Sequence, residues 1–302
     1  MSTAFLFPGQ GSQHVGMGLD LFQVEPASRA VFDRADELLG FSLSTLCFEG
    51  PEETLRDTAN QQPALLVNSI AMLRAMEVRD GPSADFVAGH SLGEFSALIA
   101  AGSLSFDDGL NLVKNRGRFM KKAGEEQPGA MAAILGLDVS TAQEICELSE
   151  YQTGRPVQIA NDNCPGQVVI SGDIDALNVA VQLAESEGAR KVIKLPISIA
   201  AHSPLMNTAA NNFSSVLENT VIKAPNKPII GNVSAAPLTN PDEIRDELML
   251  QLTSPVNWTD SMKYLLDQGV DTCYEVGSGS VLLGLMKRID RKAKRKKWDI
   301  AA

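Results

Sequence analysis

Three residues in this chain have the type and local setting needed to attack a carbonyl carbon. Ser91 lies in Gly89-His90-Ser91-Leu92-Gly93-Glu94. The apolar run at 84–88 predicts a buried strand, and 95–101 a helix that stops at Gly102. G-x-S-x-G between a strand and a helix is a nucleophile elbow. The turn is so tight that both flanks must be small, hence Gly89 and Gly93, and it pushes the hydroxyl out at a helix N-terminus. The Leu92 amide then points at the oxygen that becomes negative when a carbonyl is attacked. Serine needs a base, and the chain offers three histidines. His90 is directed away from the serine by the turn, and His14 sits in a glycine-rich loop. His202, at a strand-to-helix junction, is the candidate base. Arg116 is the third residue. In the helix predicted for 106–123, Leu112, Val113, Arg116, Phe119 and Met120 share a face, with Lys114, Asn115, Arg118 and Lys122 on the other. A guanidinium turned inward needs an anion. Two readings stay open: a buried structural ion pair, or an arginine that holds a substrate carboxylate.

The elements that must position these groups read as an α/β chain. A short buried strand at 4–7 runs into Pro8-Gly9-Gln10-Gly11-Ser12-Gln13, a turn that lets backbone approach a ligand. It lacks the G-x-x-x-x-G-K-[ST] pattern of a P-loop. Helices are predicted at 26–40 and 52–58, and another from Pro63 through 64–76. Gln61 and Gln62 before it either cap that helix or line a pocket. Beyond Gln127-Pro128-Gly129 the composition changes. Strand 130–136, helix 140–151, strand 157–160, loop 161–166, strand 167–171, helix 174–187 and strand 190–195 give β-α-β-β-α-β, the ferredoxin-like pattern. It reads as an inserted subdomain. The chain then returns through His202 to helix 205–217, strand 228–234, helix 241–252 and a last buried strand at 271–276. A turn, Gly277-Ser278-Gly279-Ser280, and a helix to about residue 289 follow; the turn is only a weak phosphate signal.

Composition bounds the alternatives. At 302 residues, one large domain with a small insert is expected. No apolar run is long enough to cross a bilayer, and the first residues show no basic n-region of a signal peptide. Four well-separated cysteines read as reduced thiols of a cytoplasmic protein, neither metal site nor disulfide frame. The net charge of −11 hides a basic stretch, with eight Lys/Arg and one Asp at 287–297. The acidic remainder argues against general nucleic-acid binding. The basic stretch reads as a solvated or frayed end, or else as a docking contact for an acidic partner.

These residues resemble one family along nearly the whole chain: the malonyl-CoA:acyl-carrier-protein transacylases of fatty-acid synthesis and the related acyltransferases of polyketide synthesis. The matching pieces are Leu6-Phe7-Pro8-Gly9-Gln10-Gly11-Ser12-Gln13, the elbow, Asn115-Arg116-Gly117, Asn163-Cys164-Pro165-Gly166-Gln167-Val168-Val169, His202-Ser203-Pro204-Leu205-Met206, and Glu275-Val276-Gly277 with Gly284-Leu285 and Lys287-Arg288. The resemblance implies an α/β-hydrolase-like large domain, 1–127 and 197–302, with a ferredoxin-like subdomain at 128–196. It implies ping-pong transfer: Ser91 attacks malonyl-CoA with His202 as base, and the amides of Gln10 and Leu92 form the oxyanion hole. Arg116 holds the malonyl carboxylate, and a carbonyl near Gln251 orients the histidine. The partners implied are an acyl carrier protein and a coenzyme A thioester, with no cofactor, metal, nucleic acid or membrane, for a cytoplasmic monomer. Ala201, where some members carry an aromatic, leaves room for a branched extender, while Leu92 looks like the malonyl type. The rival readings are a serine hydrolase or thioesterase that uses water as acceptor, and a non-catalytic module that binds acyl carriers.

Overall fold

Alternation along the first strand decides the layering. In β1 (Ser2–Phe7), Ala4, Phe5, Leu6 and Phe7 are all buried. Ala4 and Leu6 pack with Trp258, Met262 and Leu282, whereas Phe5 and Phe7 pack with Leu65, Leu92 and Phe95. Both faces of the sheet must therefore be covered by helices, as in parallel α/β folds. The computed structural model describes residues 2–300. Met1, at the start of the segment without a basic n-region, and residues 301–302, at the end of the expected large domain, lie outside the described residues.

The other strands are β2 (Phe86–Gly89), β3 (Gly129–Leu135), β4 (Val157–Cys164), β5 (Gln167–Asp173), β6 (Lys191–Lys194), β7 (Ile229–Ile230), β8 (Pro237–Leu238), β9 (Val270–Glu275) and β10 (Lys294–Lys297). Six form a sheet in the order β10-β9-β1-β2-β7-β8, parallel except for β8. The remaining four form an antiparallel sheet, β4-β5-β3-β6, carrying the helices Val139–Thr153 and Ile174–Ser186. This is the mixed α/β class and the ferredoxin-like order read from the sequence. Hydrogen bonds between Val256 and the Ala160 and Asp162 backbones join the two bodies.

Several expected boundaries move, each for a local reason. The helix expected from Pro63 starts at Thr58 and runs to Val78. Asp57 caps it by accepting from the Ala59 amide, so the proline lies within the helix and costs one helical hydrogen bond. The expected loop at 161–166 is mostly strand. β4 continues to Cys164, with register shifts along 159–164, and only Pro165-Gly166 turns the chain into β5. The expected strand at 228–234 shrinks to two residues. The Asn232 amide donates to the Glu94 carboxylate, and the Val233 and Ser234 amides donate to that of Glu247. Carboxylates thus take the donors a ladder would need. The basic stretch is no frayed end. Lys287 and Arg288 close the helix Val281–Ile289, where cations favour the C-terminal dipole, and Lys294–Lys297 pair in parallel with β9. All four cysteines are buried and unpaired.

Candidate active site

β2 delivers Ser91 into a turn that only glycine flanks permit. A Cβ on Gly89 would meet the Gly93 backbone at 2.0 Å, and one on Gly93 would meet the Phe7 carbonyl oxygen at 2.0 Å. Ser91 has φ 50°, in the left-handed region. Such a residue stores on the order of 1–3 kcal/mol of strain and must be held by its surroundings. Asn232 holds it: Oδ1 accepts from the Ser91 amide at 2.6 Å and Nδ2 donates to the Gly89 carbonyl at 2.7 Å.

His202 is a second left-handed residue, φ 59°, on the loop that leads out of the small sheet. Its Nε2 lies 2.9 Å from Ser91 Oγ. Its Nδ1 faces the carbonyls of Gln251, at 2.8 Å, and Ser254, at 3.1 Å. Two carbonyls can only accept, so the proton belongs on Nδ1 and the lone pair of Nε2 is left for the serine hydroxyl. Burial, and next the Arg116 guanidinium, push the His202 pKa down to about 3. The imidazole is therefore neutral, as a base must be. The other histidines are engaged elsewhere. His90 pairs with Asn163 Oδ1 at 2.8 Å and packs on Trp258, and His14 pairs with Ser278 Oγ at 3.0 Å.

Arg116 is fully buried. It comes from the helix Phe106–Glu126, on the inward stripe that the spacing predicts. Nη1 donates to Gln62 Oε1 at 2.9 Å; Nη2 donates to Gln251 Oε1 at 2.9 Å and to Ser91 Oγ at 3.1 Å. The guanidinium carbon lies 5.7 Å from the Phe95 ring centroid. Among the described residues no carboxylate lies within ion-pair distance of it. Among the described residues the structural ion pair, one of the two readings left open, is thus not formed. Burial alone, opposed by the more distant Glu94, takes the Arg116 pKa down to about 10.

The first glycine-rich loop lies directly against the elbow, since a Cβ on Gly9 would be 2.4 Å from the His90 carbonyl oxygen. Gln10 follows, its side chain donating to Gln61 Oε1 at 2.6 Å. Gln61 and Gln62 therefore line this site and do not cap a helix. Leu92 is buried at the start of the helix Gly93–Ala100. Ala201, buried beside His202, has no bulk to offer the site. The turn Gly277-Ser278-Gly279-Ser280 packs on the 12–14 loop through Ser278.

Sequence reasoning missed four residues around this centre. Glu94 accepts from Gln251 Nε2 and from the Asn232 amide. Burial, then the neighbouring Glu247, push its pKa well above the carboxylate range, while those two amides pull it back. Asn232 braces the serine. Gln158, from β4, donates to the carbonyls of His202 at 2.8 Å and Thr253 at 3.0 Å. Asn163, also from β4, holds His90. Glu94 was visible as the last letter of the elbow motif and Asn163 as the first of a matching piece, though neither was given a role; Asn232 and Gln158 carry no periodic or spacing signal.

Residues 4–300 match the model of the acyl transferase domain family. Over 291 residues the chain is 47% identical to the malonyl CoA-acyl carrier protein transacylase of Bacillus subtilis (strain 168), covering 96% of this chain and 91% of that one. The structure of the malonyl CoA-acyl carrier protein transacylase from Coxiella burnetii is similar with a TM-score of 0.96 at 39% identity, covering 98% of this chain and 93% of that one. A malonyl-transacylase solved in complex with a type II polyketide synthase acyl-carrier protein gives a TM-score of 0.95 at 38% identity, covering 99% and 96%.

Proposed function

The chain belongs to the acyl transferase family, and we propose that it carries a malonyl group from malonyl-CoA to the phosphopantetheine thiol of an acyl carrier protein. Ser91 Oγ attacks the thioester carbonyl while its proton passes to His202 Nε2. The amides of Gln10 and Leu92 receive the oxyanion. The C–S bond breaks, and the CoA sulfur leaves with the proton from His202. In the second half the carrier's thiol gives its proton to His202 and attacks the malonyl-serine ester, and Ser91 departs with that proton. Arg116, with Gln251 and Gln62 behind it, pairs with the free carboxylate.

One observation supports this reading most: a buried guanidinium 3.1 Å from the nucleophilic oxygen, with no carboxylate within ion-pair distance among the described residues. An anion seated there must be joined to the attacked carbonyl by a very short spacer, and one methylene makes a malonyl group. The reading includes a discontinuous catalytic domain, 1–127 and 197–302, a ferredoxin-like insert at 128–196, and a monomer working in the cytoplasm without a cofactor. Among the described residues no helix is long and apolar enough to cross a membrane. Incubation with radiolabelled malonyl-CoA, with and without holo acyl carrier protein, tests it. Labelled enzyme alone and labelled carrier in the full mixture are expected; free malonate in both would make the protein a hydrolase. Offering mixed acyl-CoAs and weighing the adduct on Ser91 shows whether the space beside Ala201 admits a branched extender.

A further inference from the structure

We propose that Glu94 is a positioning residue: acting through Gln251, it orients Arg116 and so sets the preference for an acyl group that ends in a carboxylate. The inference rests on the transferase reading above and adds a residue to it.

Glu94 lies in the first turn of the helix Gly93–Ala100 and has no exposed surface. Among the described residues no cation lies within ion-pair distance of it. A carboxyl buried in this way is costly, and an apolar side chain of similar volume would pack at least as well. Its two oxygens instead face two donors, the Asn232 amide at 3.1 Å and Gln251 Nε2, and among the described residues neither oxygen is bonded to an acceptor, so the contacts are those of a carboxylate although burial favours the protonated form.

The second contact decides which way round an ambivalent group sits. The Gln251 amide has a donor end and an acceptor end, and Arg116 can only donate. Gln251 helps Arg116 only while Oε1 points at the guanidinium, as it does at 2.9 Å. The NH2 end must then find acceptors on the other side. These are the Glu94 carboxyl and the Ser91 carbonyl, the latter at 3.1 Å. The first contact extends the same hold to Asn232, whose side chain bonds the Ser91 amide and the Gly89 carbonyl. The peptide carbonyl of Gln251 also receives the His202 Nδ1 proton.

The isosteric variant Glu94→Gln separates acceptor chemistry from shape. A glutamine at this position has one acceptor and one NH2, yet it faces two donors. Set against Gln251 Nε2, the NH2 would turn Gln251 over, so that Gln251 presents its own NH2 to Arg116; set against the Asn232 amide, it would break the hold on Asn232 instead. Glu94→Asp keeps two acceptor oxygens but draws them back by one methylene. A packing role ranks Gln above Asp; a positioning role ranks Asp above Gln.

The test is single-turnover acylation of Ser91 by malonyl-CoA and by acetyl-CoA, with labelling of Ser91 by a neutral fluorophosphonate as a measure of serine and histidine alone. In Glu94→Gln the malonyl-to-acetyl rate ratio is expected to fall about tenfold to a hundredfold, the loss of one charge-assisted hydrogen bond. Labelling should fall less than malonyl acylation, because the Gln251 contact to His202 is through the main chain, whereas the Gln251 contact to Arg116 is through the side chain. The ratio in Glu94→Asp should lie between those of wild type and Glu94→Gln. An unchanged ratio in Glu94→Gln, an equal loss of labelling and acylation, or an Asp variant below the Gln variant would overturn the assignment. Should Glu94→Gln not fold, Glu94→Asp decides by itself: a lowered ratio with labelling kept supports the role, and a wild-type ratio refutes it. Wild-type enzyme that forms no malonyl-Ser91 adduct would instead remove the transferase reading, so the two failures are distinct.

Discussion

Among the described residues, the side chains that hydrogen-bond to Ser91 all lie outside the strands of the four-stranded sheet: His202, Arg116 and Asn232 directly, with Gln251 reaching its carbonyl. The four-stranded sheet reaches the site one step further back. Gln158 grips the main chain at His202 and Thr253, and Asn163 grips His90. The difference follows from geometry. Parallel strands end together, so the loops after β1 and β2 converge at one place where reacting groups can be assembled. An antiparallel sheet has no such convergent end, and here its β4 strand serves as a brace against the loops that carry the histidine. Chemistry should therefore be lost in the large body and only loosened from the small one.

The sharpest way to break that division is Ser91→Ala. No malonyl adduct should form on mass spectrometry while thermal unfolding stays close to wild type, since a turn hydroxyl adds little packing; a persisting adduct would move the nucleophile elsewhere. Arg116→Ala comes next. Malonyl acylation should fall by roughly 10² or more, as a desolvated charge pair contributes about 2–5 kcal/mol when one partner is truncated. Acetyl transfer should stay level or rise, because no stranded charge remains. Parallel losses for both substrates would make Arg116 structural.

A smaller effect concerns pH. His202 works as a base only when neutral, and with its pKa near 3 it stays neutral far below the ordinary histidine range. The acid limb of the acylation rate should accordingly lie well under pH 6, provided the fold persists there, against an ordinary histidine value of about 6.5. Arg116→Ala removes a positive charge that disfavours protonation, so the His202 pKa rises and the limb moves to higher pH. A limb that stays in place would show that the guanidinium is not felt at the imidazole. The smallest change is expected at the brace. Gln158→Met removes neutral hydrogen bonds worth about 0.5–1.5 kcal/mol each, and acylation should slow only several-fold. A loss as large as that of His202→Ala, itself on the order of 10² or more, would erase the distinction between the two sheets.

What could be read in advance was local. The elbow is six adjacent residues, and the Arg116 face follows from helical spacing within a single element. The ferredoxin-like order emerged because alternating strands and helices in a short stretch leave few topologies. The site's supports were not legible. His202 is oriented by the carbonyls of Gln251 and Ser254, and a carbonyl leaves no trace in side-chain identity. Asn232 and Glu94 are 138 residues apart in the chain, and their contact exists only once β2 and β7 pair. The strand expected at 228–234 failed for the same reason, because two distant carboxylates outcompeted a sheet ladder. Pro63 misled in the opposite direction: a strong local cue for a helix start was overridden by the Asp57 cap.

The closing strand has a consequence for how copies of this protein meet. An open sheet edge is a template for a visiting strand, and a parallel sheet has two. One edge here is β8, two residues long and led by Pro237, which has no amide hydrogen to offer. The other is β10, whose residues are Lys294, Arg295, Lys296 and Lys297. Were a second molecule to add its own β10 there, like charges would face each other across about 4.8 Å. Four adjacent basic residues on an edge strand thus disfavour edge-to-edge pairing of like copies. Cutting the chain before residue 291 would lay bare the edge of β9 from Thr272 to Glu275, with Cys273 now buried in it, and should increase aggregation relative to the full chain, as light scattering would show.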